Sequence, residues 1–214
     1  MAKITAVEPQ KRSGRYNIYV DGDFVFGISE EVVLAYNLER GKDISLDELE
    51  ALVCEDSVEK LVEKALHFLS YRPRSEQEIR NNLWKNIKKS NTDFKADPKW
   101  LVNKVIKKLE GLDLIDDEEF CDWWVNQRVR FKPRGKLLLR KELFEKGIKP
   151  EVMDKVLANY SCQDEVAWAQ KLYEKKEARY RDLDPNERKE KIAALLSRRG
   201  FSWDVISQVL DSNI

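Results

Sequence analysis

Seven basic side chains and no acidic side chain occur between Asn126 and Lys141. This basic run could bind the phosphates of a nucleic acid or an acidic groove of a protein, because clustered positive charge attracts anionic ligands. A simpler interpretation stays open, in which these side chains solvate a helix and complement the C-terminus of the preceding helix. The basic run consists of Arg128, Arg130, Lys132, Arg134, Lys136, Arg140 and Lys141.

Two adjacent tryptophans, Trp123 and Trp124, lie just before the basic run. An indole at such a place can stack on a nucleic-acid base or fill a pocket of a protein partner. Neighbouring helical positions point about 100° apart, so the two rings cannot face the core equally well. We expect at least one of them to pack internally and take Trp124 as the candidate contact residue. The other four tryptophans are expected in the core, namely Trp84, Trp100, Trp168 and Trp203.

The sequence offers no recognisable set of catalytic side chains. His67 is the only histidine, and no Ser/His/Asp or Cys/His set can be assembled around it. The acidic stretch 116–119 is more simply explained as capping and dipole-complementing charge than as a metal site. Cys54, Cys121 and Cys162 lack metal-ligand or redox spacing. We therefore expect reduced thiols, no cofactor, no metal and no enzymatic activity.

The elements that position the basic run belong to a unit that occurs about three times. Tyr71-Arg72-Pro73-Arg74 matches Phe131-Lys132-Pro133-Arg134, and each junction holds an aromatic residue, a base, a proline and an arginine. Leu143 and Gly147 recur as Leu196 and Gly200, at an offset of 53 residues. Such a repeat predicts supersecondary units stacked into an elongated helical array, and such arrays usually bind macromolecules. Stacking would align Arg72 and Arg74 with the basic run as one stripe.

The composition indicates a folded and strongly solvated protein. Charged residues make up 36% and aromatic residues 10% of the 214 residues, a combination that excludes a disordered chain. The 39 basic and 39 acidic residues cancel, which argues against a general nucleic-acid coat protein. The balance is uneven, because residues 1–50 carry 6 bases and 10 acids whereas residues 51–110 carry 13 bases and 9 acids. No stretch approaches the ~20 apolar residues of a membrane span, and we expect a cytoplasmic monomer.

The apolar pattern predicts a mainly α fold with a small N-terminal sheet. Asp21-Gly22 between two alternating runs indicates a hairpin within a sheet of two or three strands. Ser29, Ser45, Ser75, Asp97 and Asp116 or Asp117 are placed to cap helices, and residues 86–97 are predicted to form a loop. Helices are predicted over residues 30–36, 46–70, 76–88, 99–110, 117–130, 134–146, 151–159, 164–180, 185–199 and 203–210.

In their order and spacing these pieces resemble the RecX family, the bacterial regulators of the RecA recombinase, over nearly the whole chain. The segment Leu114 through Phe120 looks like the family's Gly-Leu-Ile-Asp-Asp block. The other residues that carry the resemblance are Tyr19-Val20-Asp21-Gly22, Phe26 through Glu31, Ala65 through Leu69, Arg72, Arg74-Ser75, Glu78, Leu83, Arg128, Pro133-Arg134-Gly135, and Leu143 through Ile148.

The resemblance implies three tandem three-helix units after an N-terminal extension, in a curved array. We place the extension at 1–50 and the repeats at 51–112, 113–160 and 161–214. It also implies binding in the groove of the RecA–single-stranded-DNA filament. By capping or destabilising that filament, the family lowers RecA's ATP hydrolysis, strand exchange and co-protease activity. Our candidate site for RecA or DNA is the basic run together with Arg72, Arg74 and Trp124.

Two other functions stay open at this point. A stand-alone nucleic-acid-binding protein would use its short helices as helix-turn-helix readers and would bind DNA tightly without RecA, with strong salt dependence. A helical scaffold for another protein would have no effect on recombination, and its basic stripe would be incidental.

Overall fold

The computed structural model describes residues 2–11, 14–89 and 96–213. Within them the fold is mainly α-helical with a small N-terminal antiparallel sheet, as the sequence predicts. The strands are β1 Ala2–Pro9, β2 Arg15–Val20, β3 Asp23–Ser29 and β4 Asp43–Ile44. The helices are α1 Glu30–Ala35, α2 Leu46–Leu69, α3 Glu76–Lys89, α4 Pro98–Glu110, α5 Asp117–Phe131, α6 Lys136–Glu145, α7 Pro150–Ala158, α8 Cys162–Glu177, α9 Pro185–Arg198 and α10 Trp203–Asn213.

The chain forms two compact units. The first comprises Met1–Arg72 and Ile79–Leu114, and the second comprises Pro73–Glu78 and Ile115–Ile214. The first unit therefore contains the sheet and most of α1 to α4. The second contains α5 to α10 together with the short segment that begins α3.

The sheet has the strand order β3-β2-β1-β4, with all pairs antiparallel. The predicted hairpin is confirmed, because Asp21 and Gly22 have φ of 51° and 96° and connect the paired residues Val20 and Asp23. Positive φ at both positions is what a two-residue turn of this kind requires. The prediction of two or three strands is wrong, because the described sheet has four. The two residues of β4 are too few to show the alternation that reveals a strand.

A buried carboxylate connects the sheet to α2. Asp56 is 3% exposed and accepts a hydrogen bond from the backbone N–H of Ser29 at 2.9 Å. It also pairs with Arg15 at 3.1 Å and Lys60 at 2.6 Å. Ser29 lies at the N-cap of α1 as predicted, but its side chain makes no capping hydrogen bond. Ser29 therefore contributes its backbone N–H, which donates to Asp56 of α2, and not its side chain.

Local capping signals place most helix starts correctly. Ser45 forms the predicted capping box with Glu48, and Asp97 and Asp116 accept hydrogen bonds from the first turns of α4 and α5. The loop predicted for residues 86–97 begins later, since α3 continues to Lys89. The buried residues of α3 are Ile79, Leu83 and Ile87, which recur every four positions. Because Ile87 packs on the same face as the other two, the helix continues past residue 86. Residues 90–95 of that predicted loop lie outside the described residues.

The second unit has one apolar core shared by α5 to α10. Leu143 and Leu196, which the 53-residue offset pairs, are both fully buried in it. Trp168 is buried as predicted. The prediction is wrong for Trp100 and Trp203, which are 40% and 69% exposed. Other apolar residues already fill the inner faces of α4 and α10, so the indoles remain outside.

Candidate functional site

The start of α6, in the middle of the basic run, is fixed by two backbone contacts. The N–H of Gly135 donates to the carbonyl of Arg199 across 2.9 Å. The N–H of Lys136 donates to the Glu165 carboxylate, also across 2.9 Å. Glu165 comes from the first turn of α8 and is buried. It satisfies an N–H that has no partner within its own helix, so the third repeat holds the beginning of α6.

A similar arrangement, with a serine hydroxyl as one of the two donors, occurs at the start of α3. Ser75 donates its hydroxyl to the carbonyl of Lys146 across 2.7 Å, and the N–H of Glu76 donates to the Asp117 carboxylate across 2.9 Å. Burial raises the pKa of Asp117 above its ordinary value despite that hydrogen bond. The repeat in sequence thus corresponds to a repeated joint, in which a carboxylate at the start of the next repeat caps a helix.

A buried carboxylate, which we call the Glu142 node, fixes the turn between α5 and α6. Glu142 is 8% exposed. Its Oε2 accepts hydrogen bonds from the indole N–H of Trp124 at 2.9 Å and from Nε of Arg128 at 2.8 Å. Its Oε1 pairs with the guanidinium of Arg134. The node therefore joins two members of the basic run to one acid that follows the run directly.

Trp124 has an internal position. It is 9% exposed, and the guanidinium carbon of Arg128 lies 4.2 Å from the centre of its ring. The ammonium of Lys146 lies 5.0 Å from the same ring. Cations over an indole face are attracted by its ring quadrupole. Trp124 thus supports the junction from inside, and the half-buried Trp123 is the more accessible of the pair.

The Glu142 node carries a net positive charge. Burial lowers the pKa of Arg128. Burial, followed by repulsion from Arg128 and Arg199, lowers the pKa of Arg134. A guanidinium remains protonated in proteins even so, and two positive groups therefore share one carboxylate. This packing leaves the junction cationic while holding its backbone in one geometry.

The remaining members of the basic run differ in their partners. The ammonium of Lys136 donates to the carbonyl of Tyr160, and Arg140 forms a surface ion pair with Asp154. Arg130, Lys132 and Lys141 are exposed, and no carboxylate among the described residues pairs with them. These three bases are the members of the run best placed to meet a ligand.

A feature that the sequence analysis missed is an exposed apolar pair on α6. Leu137 and Phe144 are 64% and 67% exposed. Their spacing of seven residues places them on one helix face, with Arg140 and Lys141 between them. We call this set of four residues the α6 outer face. The sequence signal was the run Leu137-Leu138-Leu139, because three consecutive leucines of one helix cannot all face the core.

The first junction is divided between the two units. Arg72 ends the first part of the first unit, and Arg74 lies in the segment Pro73–Glu78 of the second. Both side chains are half-buried. The basic stripe expected across the repeats stays a prediction.

Four domain families match this chain in the order of its elements. The family described as "Regulatory protein RecX N-terminal domain" matches residues 2–45. The first, second and third three-helix domains of RecX match residues 62–86, 116–157 and 163–210. The chain belongs to the RecX family. The resemblance drawn from the sequence is therefore confirmed.

Relatives and solved structures agree with this membership. The regulatory protein RecX of Limosilactobacillus reuteri is 33% identical over 211 residues, which are 99% of this chain and 76% of that protein. RecX of Listeria monocytogenes is 32% identical over 204 residues, covering 95% and 72%. A crystal structure of regulatory protein RecX superposes with a TM-score of 0.78 at 32% identity, covering 99% of this chain and all of that one. RecX from Lactobacillus salivarius gives a TM-score of 0.62 at 25% identity, covering 74% of this chain and 97% of that chain.

The described residues also bear on metal sites and membrane spans. Within residues 2–11, 14–89 and 96–213, no group of three or more His, Cys, Asp or Glu side chains is placed to hold a metal ion. None of the helices in those ranges combines the length and apolar composition needed to cross a bilayer.

Proposed function

We propose that this protein binds the RecA–single-stranded-DNA filament and lowers RecA's ATP hydrolysis, strand exchange and co-protease activity by capping or destabilising the filament. It acts as a non-enzymatic monomer in the cytoplasm. Membership in the RecX family supports the regulatory role. The α6 outer face, which includes the exposed Lys141 and follows the exposed Arg130 and Lys132 in the chain, supports binding to a macromolecule.

The observation that carries this proposal is the exposed apolar pair on the α6 outer face. Single exposed apolar residues are ordinary on protein surfaces. Here two large ones share a helix face and surround two bases, a combination typical of an interface with apolar anchors and a charged rim. Leu137 and Phe144 would fill apolar pockets of RecA. Lys141, together with Arg130 and Lys132 of the same basic run, would meet acidic side chains of RecA or phosphates of the filament DNA.

The Glu142 node has a positioning role in this proposal. Because Trp124, Arg128 and Arg134 are tied to one buried carboxylate, the turn that carries Lys132 is held before any partner arrives. Preorganised surfaces bind more tightly, since less conformational entropy is lost on association. Arg72 and Arg74 are further proposed contacts, at the corresponding turn of the first repeat.

The experiment titrates this protein into the single-stranded-DNA-dependent ATPase reaction of RecA from the same organism. We expect inhibition at well below one molecule per RecA, because one molecule that caps a filament end would stop ATP hydrolysis by many RecA protomers. The variant Arg130→Gln/Lys132→Gln/Lys141→Gln should need much more protein for the same inhibition. Its matched control is Lys171→Gln/Lys175→Gln/Lys189→Gln, which removes the same charge from exposed lysines of α8 and α9.

Arg128 and Arg134 are unsuitable for this test. Replacing either one leaves the Glu142 carboxylate buried with fewer partners, so lost inhibition could reflect unfolding. Unchanged ATP hydrolysis at excess parent protein would overturn the proposal. Equal inhibition by the triple variant and its control would overturn the assignment of the surface.

A further inference from the structure

The first unit contains an open groove between α3 and α4 that lies outside the basic run. Its volume is about 460 Å³, within the roughly 300–1,000 Å³ typical of small-ligand pockets. Arg80 of α3 contributes to its wall, and Trp100, Asn103, Lys104 and Lys107 of α4 contribute to it as well. The four α4 residues follow helical spacing and therefore form one face of that helix.

Trp100 offers an accessible aromatic surface in this groove. Its side chain is 40% exposed, while the opposite face of α4 is filled by Leu101, Val105 and Leu109, which are fully buried. The ammonium of Lys104 lies 5.4 Å from the centre of the indole ring. A large aromatic ring at the surface with a cation over its face supplies the two parts of a stacking platform, an aromatic surface for a base and a positive charge for the neighbouring phosphate.

The walls of the groove are predominantly cationic. Its described lining includes Arg80, Lys104 and Lys107 as bases and Glu110 as an acid. A hydrogen bond of 2.8 Å from Arg80 to Asn103 holds that guanidinium at the wall. The two helices share this character, since α3 carries four bases and two acids and α4 carries four bases and one acid. The groove therefore favours an anionic ligand although the whole chain is neutral.

We propose that this groove binds single-stranded nucleic acid, with one base stacked on the Trp100 indole and neighbouring phosphates held by Arg80, Lys104 and Lys107. An unpaired strand offers both the flat base and the phosphates that this combination fits. A duplex presents only base edges in its grooves, which gives the indole no face to stack on. An acidic peptide would use the cations but would leave the indole without a role. The proposal does not depend on RecA and concerns a surface other than the α6 outer face.

The test measures the fluorescence anisotropy of a labelled oligothymidylate titrated with the full chain in the absence of RecA. We expect Trp100→Ala to weaken binding by about fivefold to a hundredfold, the loss of one stacked base. Trp100→Phe, which keeps a ring, should recover most of the affinity. Trp203→Ala is the matched control, because Trp203 is an exposed indole of the other unit and should bind like the parent.

Salt dependence tests the phosphate contacts separately. Lys104→Gln/Lys107→Gln should reduce the slope of log affinity against log salt by about 1.4, which corresponds to two phosphates of a single strand. Lys171→Gln/Lys175→Gln, two exposed lysines on α8, should leave that slope unchanged.

Several outcomes would overturn this site. One is parental affinity in a folded Trp100→Ala protein, and another is an equal loss in Trp203→Ala. A third is displacement of the oligonucleotide by polyglutamate as effectively as by unlabelled oligothymidylate, which would indicate an acidic-peptide site. Because RecA is absent from these titrations, their failure is distinguishable from failure of the ATPase experiment.

Discussion

The Glu142 carboxylate accepts a hydrogen bond from the Trp124 indole N–H across 2.9 Å, and both residues are buried. Trp124 lies on α5 and Glu142 on α6, so this contact spans the turn that carries the junction. A buried carboxylate is stable only when its hydrogen-bonding capacity is satisfied. Arg128 and Arg134 complete that requirement, and the polar cluster sets the geometry of the exposed bases beside it.

Replacing Glu142 by glutamine should destabilise the second unit. The substitution keeps the shape but leaves two neighbouring guanidiniums without a counter-charge. Loss of one partner of a buried pair costs about 3 kcal/mol at the lower end of the usual range, which suits arginines that are partly exposed. Urea denaturation should show a lower free energy of unfolding. Glu145→Gln, at an exposed position of the same helix, is the control, and equal midpoints for the two variants would contradict the role of the node.

Features that depend on neighbouring residues could be predicted from the sequence. The Asp21-Gly22 hairpin and the caps at Ser45, Asp97 and Asp116 were placed correctly, because each is decided within a few residues. The membership of Glu142 in the site was missed. This acid follows Lys141 directly, but its partner Arg128 is fourteen positions earlier, and only the angle of the intervening turn brings them together.

The groove beside Trp100 was also missed for a physical reason. The sequence places Trp100 next to apolar positions of α4, and an indole there is more often buried. The helix already has enough apolar residues to cover one face, including Leu101, Val105 and Leu109. Since these residues already cover the buried face of α4, the sequence could have indicated that Trp100 lies outside it. The groove itself could not be predicted, because it depends on how α3 packs against α4.

Gly135 should tolerate no side chain. A Cβ at this position would lie 2.2 Å from the carbonyl oxygen of Gly200, and because the atoms that it would meet belong to the backbone, they cannot move aside as a flexible side chain could. Overpacking costs about 1–3 kcal/mol, so Gly135→Ala should lower the free energy of unfolding by at least that amount. Gly111→Ala is the matched control, since its Cβ would lie 3.4 Å from the nearest atom. A parental melting temperature for Gly135→Ala would show that the joint between the second and third repeats is looser than described.

The three cysteines should react with a thiol reagent at well-separated rates. Burial is the main cause that raises the pKa of Cys121 to about 12, and nearby carboxylates add to it. At pH 8 this thiol therefore lacks the thiolate form that reacts. Cys162 is exposed and Cys54 is half-buried. We therefore expect Cys162 to react fast, Cys54 more slowly, and Cys121 only as the protein unfolds. Cys162→Ser should remove the fast phase alone, and modification of Cys121 without loss of helical signal would refute this assignment.

Removing the apolar anchors of the α6 outer face should abolish regulation without affecting the fold. Leu137 and Phe144 are mostly exposed, so Leu137→Ala/Phe144→Ala removes little buried area and should keep the parental melting temperature. Central interface anchors cost about 2 kcal/mol or more each, roughly a thirtyfold loss of affinity, and the concentration for half-inhibition of RecA's ATPase should rise at least that much. Leu34→Ala, at a similarly exposed leucine of α1, controls for the general loss of surface hydrophobicity and should inhibit like the parent. Full inhibition by the α6 variant would mean that the partner docks elsewhere, because an interface centred on this helix would bind measurably more weakly without both anchors.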